Sequence, residues 1–149
     1  MLTLNSITNI SRIIPTSGSN PVVVLAEDMN EYVCKYAIGI PANKLMMEYI
    51  GYCFALIWQI PIPEAKFVNI SPSHIPEELQ NGHFRRNYFD VPTIGSHYIH
   101  ESKEIDKSVL AVLKTKKNLR AKVVNKEDLL RIGLFDIWLA NEDRNHNNY

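Results

Sequence analysis

The sequence predicts an α+β fold in which a small antiparallel sheet precedes a set of helices. β-branched runs fill much of the first 38 residues, an amphipathic helical pattern follows at residues 42–59, and a second helical pattern begins near residue 103. Runs rich in Val, Ile and Tyr favour strands, whereas apolar residues spaced three and four apart favour a helix. Strands followed by helices in this order are typical of the α+β class.

The first strands are predicted to form a three-stranded antiparallel meander. Residues 4–15 alternate loosely between apolar and polar, and the Gly, Ser, Asn and Pro residues of 16–21 give a dense turn signal. Residues 22–26 and 31–38 are β-branched runs separated by a short polar break, which is the pattern of a hairpin.

The middle of the chain combines one long helix with short strands. The helix predicted at residues 42–59 carries a wide apolar stripe and ends before Pro61 and Pro63, because proline cannot continue a helix. Residues 65–70 predict a further strand. Residues 71–95 are rich in Pro, Asn, Gly and His and predict a loop with one short helix.

The last third of the chain is predicted to be mainly helical. Residues 96–100 allow one more short strand, after which residues 103–113 form an apolar stripe of helical period. The basic stretch at 114–122 that follows is interpreted first as a solvated helix face or linker. Asn125 is a predicted N-cap, and Asp128 adds negative charge to the first turn of the last helix.

The composition excludes several classes of protein. Sixteen basic and sixteen acidic side chains give a formal net charge of zero, so no global field attracts nucleic acid or an anionic membrane. Cys34 and Cys53 are too few and too isolated for a disulfide framework or a zinc site. The N-terminus lacks the pattern of a signal peptide, and the longest apolar segment is too short for a membrane span. We therefore expect a cytoplasmic protein that contacts neither membrane nor nucleic acid directly.

Lys35 and Glu48 form a pattern suited to binding a nucleotide phosphate. A phosphate needs close backbone N–H donors, for which Gly18 and Ser19 leave room, and a rigidly held cation. Lys35 lies inside a predicted strand, and Glu48 on the next helix is placed to fix it by an ion pair. Ordinary interpretations stay open, since the lysine could be a solvated strand residue and Glu48 a helix-surface partner of Lys44. The turn could be a plain hairpin turn.

The last nine residues, NEDRNHNNY, are polar and directly follow the apolar run 132–140. Within them Asp143 and Asn148 lie five residues apart, the spacing D-x-x-x-x-N of a kinase catalytic loop. They could instead belong to a solvated chain end. The apolar run before them favours a polar loop delivered by a buried helix.

Together these stretches resemble the HipA-like kinases, relatives of Ser/Thr protein kinases and phosphatidylinositol kinases. The segment around Asp143, Arg144, His146 and Asn148 is the most specific, because it resembles the DRHxxN loop of phosphatidylinositol kinases with one extra residue before the histidine. The matching segments are SGSNPVVVLAEDMNEYVCKY, NKLMMEYIGYCFAL followed by IPIPEA, IGSHYI, and FDIWLANEDRNHNNY.

The resemblance implies a protein-kinase-like fold with an antiparallel β N-lobe and one long helix at residues 1–100. Residues 101–149 would be the first part of a helical C-lobe that ends at the catalytic loop. The resemblance also implies ATP and Mg²⁺ as cofactors and phosphoryl transfer to a hydroxyl on a protein. The implied site residues are Asp143 as catalytic base, Lys35 on the α- and β-phosphates with Glu48 as its partner, Gly18 and Ser19 in the phosphate loop, Ser96, His97 and Tyr98 at the hinge beside adenine, and Asn148 as a Mg²⁺ ligand.

The resemblance leaves two functions open. Kinases of this type carry a second metal-binding aspartate after the catalytic loop, and the sequence stops at Tyr149 before such a residue. We therefore expect a fragment or a truncated gene product. It would be either part of a Ser/Thr-type kinase or a non-catalytic, kinase-like regulatory module of a toxin–antitoxin-type system that binds a protein partner. A nucleic-acid-binding protein that uses the stretch 114–122 is a third, weaker interpretation.

Overall fold

The computed structural model describes residues 3–16, 20–37, 42–80, 85–101, 115–116 and 124–140. In these ranges the fold contains a six-stranded mixed sheet and two α-helices, so the predicted α+β class is confirmed. Three 3₁₀ helices lie between the last two strands, at Pro72–His74, Glu77–Gln80 and Arg86–Phe89. The strands are β1 (Thr3–Asn5), β2 (Arg12–Ile13), β3 (Val22–Leu25), β4 (Glu31–Lys35), β5 (Ala65–Asn69) and β6 (Thr93–His97), and the helices are α1 (Ala42–Ile57) and α2 (Lys126–Trp138).

The sheet order is β1-β5-β6-β4-β3-β2, in which β1 and β5 are parallel and every other pair is antiparallel. The predicted meander is present as β2, β3 and β4, but the prediction of one strand over residues 4–15 is wrong. β1 pairs with β5, whereas the chain beyond it bonds to the edge of β3 through the amide of Ile7 on Leu25 (3.0 Å) and that of Ser11 on Val23 (2.9 Å). One straight strand cannot pair with both edges, so the run divides.

One face of the sheet carries the hydrophobic core, and we call it the core face. Side chains alternate along each strand, so every second residue points to this face. Leu4, Ile75 and Phe89 extend the cluster from β1 and from the 3₁₀ segment. The fully buried members on β3, β4 and β5 are Val22, Val24, Tyr32, Cys34 and Val68.

Gly95 explains why β6 was predicted in the wrong place. The sequence predicted a loop to residue 95 and a strand at 96–100, whereas β6 begins at Thr93 and includes the glycine. A Cβ atom on Gly95 would lie 2.9 Å from Cβ of Tyr32 and 3.1 Å from Sγ of Cys34. Glycine is normally a turn signal, but here it is required because the core leaves no space for a side chain.

Helix α1 ends two residues earlier than predicted, at Ile57, in a Schellman-type turn. Gln59 adopts a φ of 56°, in the left-handed region. Its amide donates to the Leu56 carbonyl, and the amide of Ile60 donates to the Ala55 carbonyl, both at 2.9 Å. These bonds satisfy carbonyls that the helix end would otherwise leave without partners.

The chain divides into two compact units, residues 1–54 with 62–99 and residues 55–61 with 100–149. In the second unit the ring of Trp58 lies 5.5 Å from the rings of both Phe135 and Trp138 on α2. Asn125 is the N-cap of α2 as predicted, but its side chain makes no capping hydrogen bond. The interpretation of the units as an N-lobe and the start of a C-lobe stays a prediction.

The helix predicted at residues 103–113 lies outside the described residues, as does most of the basic stretch. Neither helix in the described part of the chain is long and apolar enough to cross a membrane.

A polar cluster links the β3–β4 turn to β5. Asp28 Oδ2 accepts a hydrogen bond from the Tyr32 hydroxyl at 2.7 Å and lies 3.2 Å from Nζ of Lys66, while Asp28 Oδ1 accepts from the Asn30 amide at 3.1 Å. Burial of the Asp28 carboxyl acts to raise its pKa, but the bonds from Tyr32, Asn30 and Lys66 outweigh this and lower the pKa to about 2. The carboxylate form is therefore strongly favoured by the fold.

Gly95→Ala is expected to destabilise the protein by about 1–3 kcal/mol, because the new methyl group overpacks the core. Gly51→Ala is the matched control. Gly51 lies in α1 with nothing within 4 Å of a Cβ atom, so alanine there should stabilise the helix by about 1 kcal/mol. Urea unfolding of both variants measures the two changes. Equal midpoints for Gly95→Ala and the unsubstituted protein would contradict the close packing.

Asp28→Asn is expected to remove an acid-sensitive part of the stability. The folded pKa of about 2 lies below the ordinary value of 3.8, so the carboxylate stabilises the fold above about pH 4. This contribution, on the order of 2 kcal/mol, is lost as the pH falls towards 2. Urea unfolding at about pH 2, 4 and 6 should therefore show a flatter profile for the variant. Glu77→Gln, at an exposed carboxylate, should leave the profile unchanged, and a variant profile as steep as the original would refute the assignment.

Candidate functional site

Lys35 points away from the core because side chains alternate along β4. Tyr32 and Cys34 are buried on the core face, which places Val33 and Lys35 on the other side of the sheet. Ser96 of β6 lies opposite Val33 in the strand register and therefore shares that side. We call this side, opposite the core face, the lysine face.

Lys35 forms an ion pair with Glu48 of α1, with 2.8 Å between Nζ and Oε1. The neighbouring ring of Tyr49 packs on Phe67 of β5 at 5.1 Å between centroids, which holds this part of α1 over the lysine face. Phe67 is on that face because it lies opposite Ile94, the register partner of Lys35. The predicted pair is thus present, and its side chains are 43% and 49% exposed, so a ligand can reach both.

The predicted phosphate loop is closed at its base by the residues that flank it. Gly18 and Ser19 lie outside the described residues. The Thr16 amide donates to Oδ1 of Asn20 at 3.1 Å, and the Asn20 amide donates to Oγ1 of Thr16 at 3.2 Å. The Tyr36 hydroxyl, anchored in the core, donates to the Asn20 carbonyl at 3.1 Å. These bonds hold the ends of the turn together at the lysine end of β3 and β4.

The three predicted hinge residues separate onto the two faces of the sheet. Ser96 lies on the lysine face, and Tyr98 continues that alternation while its amide donates to the Glu31 carbonyl at 2.8 Å. The His97 ring instead packs edge-on against Tyr32, 5.9 Å between centroids, on the core side. A role for His97 in nucleotide binding would therefore have to use its backbone.

Apolar residues beside Lys35 form a strip that the sequence did not single out as part of a site. Val23, Val33 and Ile94 lie on the lysine face next to one another on β3, β4 and β6. The spacing of two residues between Val33 and Lys35 was the available signal. A fixed ammonium next to an apolar strip can bind a phosphate that is attached to a flat apolar group.

Asp143 and Asn148, the predicted base and metal ligand, lie outside the described residues, so their roles stay predictions. In the described ranges no three His, Cys, Asp or Glu side chains are grouped closely enough to hold a metal ion. Burial raises the pKa of the Cys34 thiol to about 12, against a smaller lowering by its hydrogen bond with Thr93. This thiol therefore stays protonated and does not act as a nucleophile.

Comparison with known proteins gives a family for the chain. A family model described as HipA-like kinase matches residues 7–149, which includes every strand from β2 onwards, both helices and the polar end of the sequence. No curated protein and no solved structure matches the chain. Since the matched region covers almost the whole sequence, the chain belongs to the HipA-like kinase family.

Proposed function

We propose that this chain binds ATP and Mg²⁺ on the lysine face and belongs to a kinase that transfers a phosphoryl group to a hydroxyl of a protein. The observation that carries the proposal is the 2.8 Å contact between Lys35 and Glu48. The family membership gives the kinase class, and this contact gives the position of the phosphates on the sheet.

An ammonium group on a flexible side chain is a poor phosphate ligand unless something holds it in place. Glu48 restricts Lys35 from one side and leaves its remaining N–H donors directed away from the carboxylate. Phosphoryl transfer depends mainly on positioning and on neutralising the charge of the phosphates. A half-exposed lysine held by one carboxylate is suited to that task.

The rest of the nucleotide would lie along the lysine face. The closed base of the turn between Thr16 and Asn20 supports a phosphate loop at the end of the face where Lys35 lies. The apolar strip and the end of β6 support a base-binding region on the other side of Lys35. This arrangement fits a protein-kinase-like N-lobe at residues 1–100.

Asp143 and Asn148 would complete the site from the other lobe. In this proposal Asp143 orients the attacking hydroxyl, and Asn148 is a ligand of Mg²⁺, which when bound neutralises charge on the phosphates. The hydroxyl would belong to a protein substrate. A kinase-like regulatory module that binds a protein partner is the alternative, and a chain that binds ATP without transferring phosphate to any protein would favour it.

Mg·ATP is expected to raise the melting temperature of the protein, because a ligand that binds only the folded state stabilises it. At about 100 times the dissociation constant the shift should be about 5 °C or more. Lys35→Ala should remove most of this shift, and Glu48→Gln should reduce it. A fluorescence-monitored thermal titration measures all three proteins.

Lys44→Ala is the matched control, because Lys44 is an exposed lysine on the same helix as Glu48 and its removal changes the net charge equally. A half-exposed ion pair adds only about 0–1 kcal/mol, so the Lys35 and Glu48 variants should melt close to the parent protein without ligand. Equal ligand shifts for Lys35→Ala and Lys44→Ala would refute the proposed phosphate site.

A further inference from the structure

Arg12 on β2 contacts Tyr98, which lies just beyond β6. The guanidinium carbon is 4.5 Å from the centroid of the tyrosine ring, the geometry of a cation–π contact. Arg12 lies opposite Val23 in the strand register, so it shares the lysine face with Val33. Both partners of this contact therefore belong to the face that carries Lys35.

The contact crosses the middle of the lysine face. β3 and β4 lie between β2 and β6, and neighbouring strands are about 4.8 Å apart, so the two backbones are separated by about 14 Å. Two long side chains can meet over that span only if they lie flat and point towards each other. Arg12 and Tyr98 consequently pass over the sheet close to Val23 and Val33.

This is the region that the base of a nucleotide needs. If Lys35 binds the phosphates, the base lies further along the face, on Val33 and its neighbours, and the contact between Arg12 and Tyr98 covers that place. We propose that Arg12 is a specificity-determining residue, which occupies the base position in the nucleotide-free protein and is displaced from Tyr98 when a purine binds. The inference rests on the proposed function, since it needs a nucleotide on the lysine face.

A guanidinium and a purine are both planar groups that stack on an aromatic ring, so they compete for the same surface of Tyr98. Arg12 is solvent-exposed, and its displaced side chain can return to water at little cost. The base must first break the existing contact, which lowers the apparent affinity by the fraction of molecules in which the contact is open. Binding of the phosphates at Lys35 does not require this step.

The two partners therefore have opposite effects on nucleotide binding. Arg12→Ala should tighten Mg·ATP binding about two- to fivefold, the factor that corresponds to an exposed cation–π contact. Tyr98→Ala should weaken it about fivefold, because the stacking surface is lost. Tyr98→Phe keeps the ring and should bind like the parent protein. Binding of Mg·tripolyphosphate, which has no base, should be the same in all four proteins.

Isothermal titration of the full chain with both ligands tests the inference, and melting temperatures without ligand verify that each variant is folded. A purely structural role would shift the ATP affinity of Arg12→Ala and Tyr98→Ala in the same direction, and that result overturns the inference. An unchanged or weaker ATP affinity in Arg12→Ala also overturns it. Weaker tripolyphosphate binding by Arg12→Ala would make Arg12 a phosphate ligand instead.

Lys35→Ala separates this inference from the proposed function. If Lys35→Ala weakens both ligands while Arg12→Ala changes neither, the phosphate site stands and only the role of Arg12 fails. If the parent protein and all variants bind neither ligand, the proposed function fails and the inference with it.

Discussion

The alternation of side chains along β4 is the constraint on which the candidate site depends. Tyr32 and Cys34 are committed to the core, so Lys35 must project from the opposite face. The register with β6 is fixed where Gly95 lies opposite Cys34, because the core there has no space for a side chain. A slip by one residue would bury the ammonium of Lys35 and expose the tyrosine. The packing of the core thus decides where the cation of the site lies.

The two lysines on neighbouring parts of this sheet have different electrostatic surroundings. Lys66 lies between Asp28 and Glu64, at 3.2 and 3.3 Å, and is only 24% exposed. Its charge is balanced within the fold and stabilises the β3–β4 turn. Lys35 has Glu48 as its ion-pair partner and is about twice as exposed. The sheet therefore uses one lysine for structure and leaves the other accessible to an anion.

The parts of the fold that local patterns specify were predictable from the sequence. The β-branched runs gave β3, β4 and β5, and the helical period together with the prolines gave α1. The division of β1 from β2 and the start of β6 depend on pairing between distant segments, which no local pattern contains. In the site, Lys35 and Glu48 could be predicted because each has a distinctive place on a predicted element. The contact of Arg12 with Tyr98 could not, because it requires the full strand order.

The two cysteines differ in a way that makes the chain its own reporter of opening. Cys34 is fully buried in the sheet, whereas Cys53 on α1 is only partly covered. A thiol reagent should modify Cys53 in the native protein, but it can reach Cys34 only when β4 separates from its neighbours. The rate at which the second thiol becomes labelled therefore reports how often the sheet opens, without any added probe.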